Sequence, residues 1–362
     1  MPHRSPIKTA LPLVALAAFV VLFIWLINGS STQPQRHQWV AQWQTLEPFQ
    51  LGRRAPAAAI YGDYIYIVGG VDGEGNYVKV VEYAPILANG QLGPWRQTSA
   101  LGEGRFYNAA IAHNGYLYAI GGGTGALGEG NYPLNSVERA AIRADGSLGP
   151  WQADTPMDTA RRGLKAVLHG DTIYAIGGYS GIFLKSIERA RISADGSLGP
   201  WIEERHKSLI DRYIHSAAIH GEQIYLLGGH MRDPATTSYG DVEIATIGID
   251  ARLTPWRIEP RPLLTPRLVA EAFVLGDYLY IAGGHNGQQR LTSVEVSRIK
   301  SDGHLSPWRQ TTPLPIPRSA FAVASRGPYV YLLGGAGEGA PLTSVHMARL
   351  GLRGELGYAT AH

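Results

Sequence analysis

The chain has 362 residues, 45 of them glycine and none cysteine, which excludes disulfides, thiolate metal ligands and cysteine nucleophiles. Its 32 basic and 29 acidic residues leave a net charge of +3 with no run of like charge, which argues against nucleic acid as a partner. Abundant glycine and 19 tyrosines suit short strands joined by tight turns, so the expected class is all-β.

In chain order, the first feature is an apolar run of 18 residues from Ala10 to Ile27, long enough as a helix to cross about 30 Å of hydrocarbon. Arg4 and Lys8 precede it, so the positive-inside tendency puts residues 1–9 in the cytoplasm and the rest of the chain across the membrane. The run exceeds the usual apolar core of a cleaved signal peptide, and Asn28-Gly29-Ser30 is a poor cleavage site. The expectation is a retained signal-anchor at 10–27, a polar linker at 28–37 and a periplasmic or extracellular domain at 38–362.

That domain is repetitive. Gly-Gly pairs begin at Gly69, Gly121, Gly177, Gly228, Gly283 and Gly334, spaced 51 to 56 residues apart, and a tyrosine stands three residues ahead of each (Tyr66, Tyr118, Tyr174, Tyr225, Tyr280, Tyr331). Runs such as Tyr64-Ile65-Tyr66-Ile67-Val68 read as buried strands. A strand of small residues and a turn such as Gly62-Asp63 precede each one. A third strand follows, exemplified by Ser136-Val137-Glu138, then a polar turn such as Ala144-Asp145-Gly146-Ser147 and a Leu-Gly-Pro-Trp segment. Four strands per repeat make a sheet that buries its faces only by stacking on its neighbours around an axis.

The Gly-Gly pair, the preceding Tyr and the closing Trp (Trp95, Trp151, Trp201, Trp256, Trp308) resemble the kelch repeat over about residues 38 to 358. The resemblance implies a six-bladed β-propeller, and the Leu-Gly-Pro-Trp form looks like a prokaryotic, membrane-anchored branch of the family. The sixth copy has Ala359 where the others have Trp, which predicts that its last strand is missing. Trp43 stands ten residues ahead of Arg53, the interval of Trp95 to Arg105, so residues 38 to 47 are expected to supply the outer strand and close the ring. Pairing the two chain ends covers a free edge.

Loops from strand four to one and from strand two to three share one face. From the second Gly to the third-strand Glu (His346 in the sixth copy) lie 11, 15, 9, 13, 10 and 10 residues, whereas the Asp-Gly-Ser-Leu-Gly turns opposite hardly vary. Recognition is therefore expected on the variable-loop face. Arg53, Arg105, Arg161, Arg212, Arg267 and Arg318, each sixteen residues ahead of a Gly-Gly pair, read either as a cationic ring at the channel mouth or as arginines paired with the third-strand Glu to tie neighbouring blades. Tyr77, Tyr132, Tyr179, His230 and His285 break the symmetry and are candidates for a ligand surface, Tyr77 and Tyr132 each ending a Gly-Glu-Gly-Asn-Tyr loop. Lys165 and Glu271 interrupt otherwise small, apolar inner strands and either face a wet channel or do acid/base work.

No cofactor or metal is expected, since two His without a placed carboxylate make a poor site and Asp72-Gly73-Glu74-Gly75-Asn76 lacks the residues of a calcium loop. The reading is a monomeric, non-catalytic propeller that binds a protein or carbohydrate. The alternative implied by the family is a sugar-active enzyme of the sialic acid mutarotase type; galactose oxidase, on a like propeller, relies on a Tyr-Cys crosslink that a cysteine-free chain cannot form.

Overall fold

The computed structural model describes residues 38–125, 132–230 and 238–360. The apolar run at 10–27 and the linker at 28–37 lie outside the described residues, as does the segment Gly128-Glu129-Gly130-Asn131. No helix among the described residues is long and apolar enough to cross a membrane. The chain divides into two units, and in the smaller one (1–40 with 359–362) Gln38–Val40 is a strand and the Thr360 hydroxyl donates to the Gln38 carbonyl.

The larger unit, 41–358, is all-β and contains six antiparallel blades. The first comprises Ala57–Tyr61, Tyr64–Val68, Val81–Pro85 and Arg96–Thr98, hydrogen-bonded in that order. The next four repeat this order, with inner strands Ala109–His113, Lys165–His169, Ser216–His220 and Glu271–Leu275. The sixth blade, from Ala322–Arg326 outward through Tyr329–Leu333 to Val345–Leu350, packs its inner strand back against Ala57–Tyr61. Its outer edge is shared: Gln44–Leu46 pairs with Met347, His346 and Val345, while Gly357 and Leu356 pair with Arg349 and Leu350. Leu356 meets Leu350 as Leu92 meets Ile86 in the first blade, and Gln44–Leu46 stands where Arg96–Thr98 stands there, so the sixth copy lacks a fourth strand of its own, as expected, and the N-terminal segment supplies it. The N-terminal contribution to it in this unit is residues 44–46, shorter than the 38–47 expected.

Two sets of side chains bind each blade to the next around the full circle. The six tyrosines are 0% exposed, and each phenol donates to a turn carbonyl of the following blade: Tyr66 to Gly146, Tyr118 to Gly196, Tyr174 to Ala251, Tyr225 to Gly303, Tyr280 to Gly354 and Tyr331 to Gly90, at 2.6 to 3.0 Å. The tryptophans bond in the opposite direction. Trp151 Nε1 donates to the Ser99 carbonyl at 2.9 Å and Trp308 to Arg261 at 3.1 Å, and Trp43 donates to Thr312 at 3.4 Å. Trp43, 7% exposed, therefore fills the place that the sixth copy leaves without a Trp. A buried phenol or indole must find a partner, and here the partner always belongs to the neighbouring blade.

The Gly-Gly pair is required by close approach. A Cβ on Gly69, at φ +68°, would sit 2.5 Å from the Arg105 carbonyl of the next blade, and the Gly70 amide donates to that same carbonyl at 2.8 Å.

Candidate functional site

The six motif arginines are 0 or 1% exposed. Arg53, Arg105, Arg161, Arg212 and Arg267 pair with Glu82, Glu138, Glu188, Glu243 and Glu295, with separations of 2.5 to 3.0 Å for the first four. Each pair lies within one blade, so the expected tie between neighbours is corrected. Neither is the set an open cationic ring: guanidinium groups walled in on all sides offer nothing to a ligand at the mouth. Each carboxylate also accepts backbone amides of the incoming loop, as Glu188 does from Asp158 and Thr159. Every guanidinium donates to the carbonyl of the first Gly of its own blade's pair, as Arg161 does to Gly177 at 2.9 Å. The arginines hold each loop against its own sheet, and burial lowers the pKa of Arg53 to about 10.

Two residues beyond each motif arginine the backbone turns left-handed, at Ala55, Tyr107, Gly163, Ile214, Val269 and Ala320, with φ between 47° and 64°. Five of these are not glycine, a strained choice costing roughly 1–3 kcal/mol per residue. The strain is offset by a closed ring of peptide hydrogen bonds: Tyr107 N–H to Ala55 O, Gly163 to Tyr107, Ile214 to Gly163, Val269 to Ile214, Ala320 to Val269 and Ala55 to Ala320, at 2.7 to 3.2 Å. This six-peptide ring encircles the loop-face end of the channel.

On the loop side of the ring, the residue after each motif arginine bridges the residue after the Gly-Gly pair: Arg54 to Val71, Phe106 to Gly123, Arg162 to Tyr179, Tyr213 to His230, Leu268 to His285, Ser319 to Ala336. These twelve positions differ from blade to blade. In blades two to four they form an aromatic cluster around Arg162, whose guanidinium lies 5.9, 4.9 and 5.4 Å from the rings of Phe106, Tyr179 and Tyr213. Tyr77 stacks on Phe106 at 4.8 Å, Tyr107 meets Tyr213 at 6.4 Å, and Phe183 packs between Tyr213 and His230 at 5.6 Å from each. The structure thus gathers Tyr77, Tyr179 and His230 from the expected set. Tyr132 is exposed in the loop of blade two, and His285 lies in blade five, its Nδ1 accepting from the Gly287 amide. Arg54, Phe106, Tyr107, Arg162, Phe183 and Tyr213 were not singled out from sequence; the detectable signal was a position adjacent to the repeated arginine that holds five different residue types in six copies.

Beneath the ring, Lys165 of blade three reaches Glu271 of blade five, Nζ to Oε1 2.5 Å. Burial pushes the Glu271 carboxyl above its usual range and Lys165 opposes this. His215 and Asn108 line the same small cavity. Among the described residues no three of His, Cys, Asp and Glu converge as metal ligands would. On the opposite face, Asp145 and Asp195 each accept from the amide and hydroxyl of the serine two residues on, and Asp302 accepts from the His304 amide, closing uniform turns.

Residues 52–83 and 267–296 match the Kelch motif. Alpha-scruin of Limulus polyphemus is 26% identical over 305 residues, 81% of this chain and 31% of that protein. Kelch-like protein terF of Aspergillus terreus is 24% identical over 314 residues, covering 83% of this chain and 65% of that protein. The chain spans about a third or less of the scruins' own length. The solved structure of YjhT superposes with a TM-score of 0.69 over 87% of this chain and 99% of that one, at 16% identity, a likeness of fold. The motifs and relatives support a kelch-repeat family for the chain.

Proposed function

We propose that this propeller is a non-catalytic recognition module that binds a protein segment on its variable-loop face, centred on Arg162 of blade three. The observation that carries the reading is the cation set among Phe106, Tyr179 and Tyr213. Exposed apolar side chains stand in loops of the same face, Tyr132 in blade two, Ile182 in blade three and Leu209 between blades three and four. Aromatic residues and arginine in that combination are what protein interfaces enrich. The matching partner presents a carboxylate to Arg162 and apolar side chains to the surrounding rings. Anchored by residues 10–27, the propeller would meet that partner outside the cytoplasm.

Peptides selected from a displayed library on the purified protein supply the test, with affinity read by fluorescence polarisation. The expected set is rich in acidic and apolar residues. Arg162→Ala is expected to weaken these peptides at least tenfold, about 1.4 kcal/mol or more. Asp145→Ala, Asp195→Ala and Asp302→Ala on the opposite face should change nothing. Loss in the second group with no loss at Arg162 would sink the assignment, and selection of glycans but no peptides would replace a protein partner with a carbohydrate. Charge reversal at Arg267 is no test of binding, because that side chain is buried against Glu295.

The sugar-enzyme reading needs an acid/base pair within reach of substrate. Lys165 and Glu271 lie beneath the six-peptide ring and are bonded to each other rather than set apart as a separate acid and base.

A further inference from the structure

The channel has two unlike ends. At the loop face it narrows to a cavity of about 20 Å³ bordered by the peptide ring. Below the ring it runs between the inner strands, walled by residues such as Ala58, Ala110, Ala166, Ala217, Ala272 and Val323, with a volume of about 360 Å³. At the turn face the inner strands end in three alternating pairs between neighbouring blades: His113 with Asp171, His220 with Asp277 and Arg326 with Asp63. These side chains are 22 to 69% exposed, so that end is wet.

The narrow end carries charge that the repeat does not demand. The first inner-strand residue is Ala57, Ala109, Ser216 or Ala322 in four blades, but Lys165 and Glu271 in the other two. Their side chains keep 27 and 15% exposure, and they meet across blade four. His215 and Asn108 are among the residues around the same cavity, but their side chains lean against Gly177 and Gly69 of the preceding blades, so the ion pair is the charged feature of this end. The cavity itself, about 20 Å³, holds one water-sized group, and the wider channel begins one residue further along each strand.

We infer that the channel is a second binding site, entered from the turn face, for a small zwitterion of the free α-amino-acid class, whose carboxylate meets Lys165 and whose ammonium group meets Glu271. Lys165 carries three N–H donors and its contact with Glu271 uses one, while the carboxylate of Glu271 has acceptor sites to spare. A zwitterion completes the pair without adding net charge to a confined site, whereas a lone anion or cation would leave one charge unpaired. The site is separate from Arg162 and does not depend on what the loop face binds.

Saturation-transfer NMR on the full chain in detergent tests this, with L-alanine as probe and propionate and ethylamine as its two half-ligands. The wild type is expected to transfer saturation to L-alanine several-fold more than to either half. Lys165→Ala with Glu271→Ala restores the small residues found at this position in four blades and should therefore fold, as a thermal melt checks. That variant is expected to lose at least nine-tenths of the signal, while Lys165→Glu with Glu271→Lys, which keeps a pair, and Arg162→Ala retain it. Equal transfer in wild type and double-alanine protein, or no transfer in the wild type, overturns the inference. Loss in Arg162→Ala with the double-alanine signal intact places the amino acid on the loop face and overturns it as well.

Discussion

Acid is expected to weaken the propeller through one histidine in blade six. His346 occupies the position that Glu holds in the other five blades, is 4% exposed, and lies with Nδ1 2.9 Å from Nη2 of Arg318. Burial first, then Arg318, lowers its pKa from 6.5 to about 4, so the folded protein keeps a neutral imidazole that accepts from the guanidinium. The unfolded chain takes up the proton near pH 6.5 and the folded chain only near pH 4. Between those values the unfolded state holds more protons, so this contribution is complete above pH 6.5, falls as pH drops, and is lost below about 4. At 1.36 kcal/mol per pKa unit the interval from 6.5 to about 4 amounts to about 3 kcal/mol. Urea denaturation at pH 4 and pH 7 measures it against His346→Gln, whose amide oxygen accepts from Arg318 without titrating. The wild type is expected to lose about 3 kcal/mol more than the variant over that range. His215, also held well below 6.5 by burial, is common to both proteins and cancels. Parallel pH profiles would falsify the coupling of His346 to Arg318.

Glu188→Ala strands the Arg161 guanidinium in a site with no exposure and is expected to cost about 3–5 kcal/mol by urea denaturation, with Arg161→Met added to Glu188→Leu recovering most of it; a single-variant cost under about 1 kcal/mol contradicts the role given to the pair. Trp43→Ala is expected to cost about 3–5 kcal/mol, and deletion of residues 1–49 to lower the melting temperature further by removing the Gln44–Leu46 pairing; an unchanged melting temperature refutes closure by the N-terminal segment. The topology proposed for residues 1–37 predicts that protease added from outside the cytoplasm digests the propeller, and protection there with cleavage from the cytoplasmic side reverses it.

The blade count, the strand order and the joining of the chain ends were legible because the residues that make them recur at fixed spacing. Tyr66 and its five equivalents, the Gly-Gly pairs and the tryptophans are the side chains that bond one blade to the next, so their period is the period of the fold. The closure of the last blade was legible in the same way, from Trp43 standing ahead of Arg53 as Trp95 stands ahead of Arg105, but the strand Leu356–Thr360, which carries no Trp, was not. The roles of the arginines were half legible. Their common offset showed that they act alike, but charge alone could not show that each folds inward onto its own blade's Glu and glycine carbonyl. The Arg162 cluster and the six-peptide ring depend on backbone turning left-handed two residues past the arginine, at five positions occupied by residues that do not prefer it, and no propensity signals that.

Arg161 and Arg162 show how such a fold divides its work. They are neighbours in sequence and identical in chemistry, yet Arg161 is wholly buried with Glu188, Gly177 and Ser186, whereas Arg162 points to the loop face among three aromatic rings. The position of Arg161 is the same residue in all six blades because each blade needs the same fastening. The next position is held by a backbone bridge to the residue after its own Gly-Gly pair, a contact that any side chain can satisfy. It holds Arg, Phe, Arg, Tyr, Leu and Ser in turn. A ring of identical fastenings leaves this second position free to vary without loosening the blades, and on one face the variation converges around a single axis. The same reasoning applies below the ring, where Lys165 and Glu271 replace small residues that four blades retain and the channel tolerates the change only because the two charges meet. Symmetric positions in this chain build the scaffold, and the departures from symmetry, which cost stability or do nothing for it, are where a ligand has to be sought.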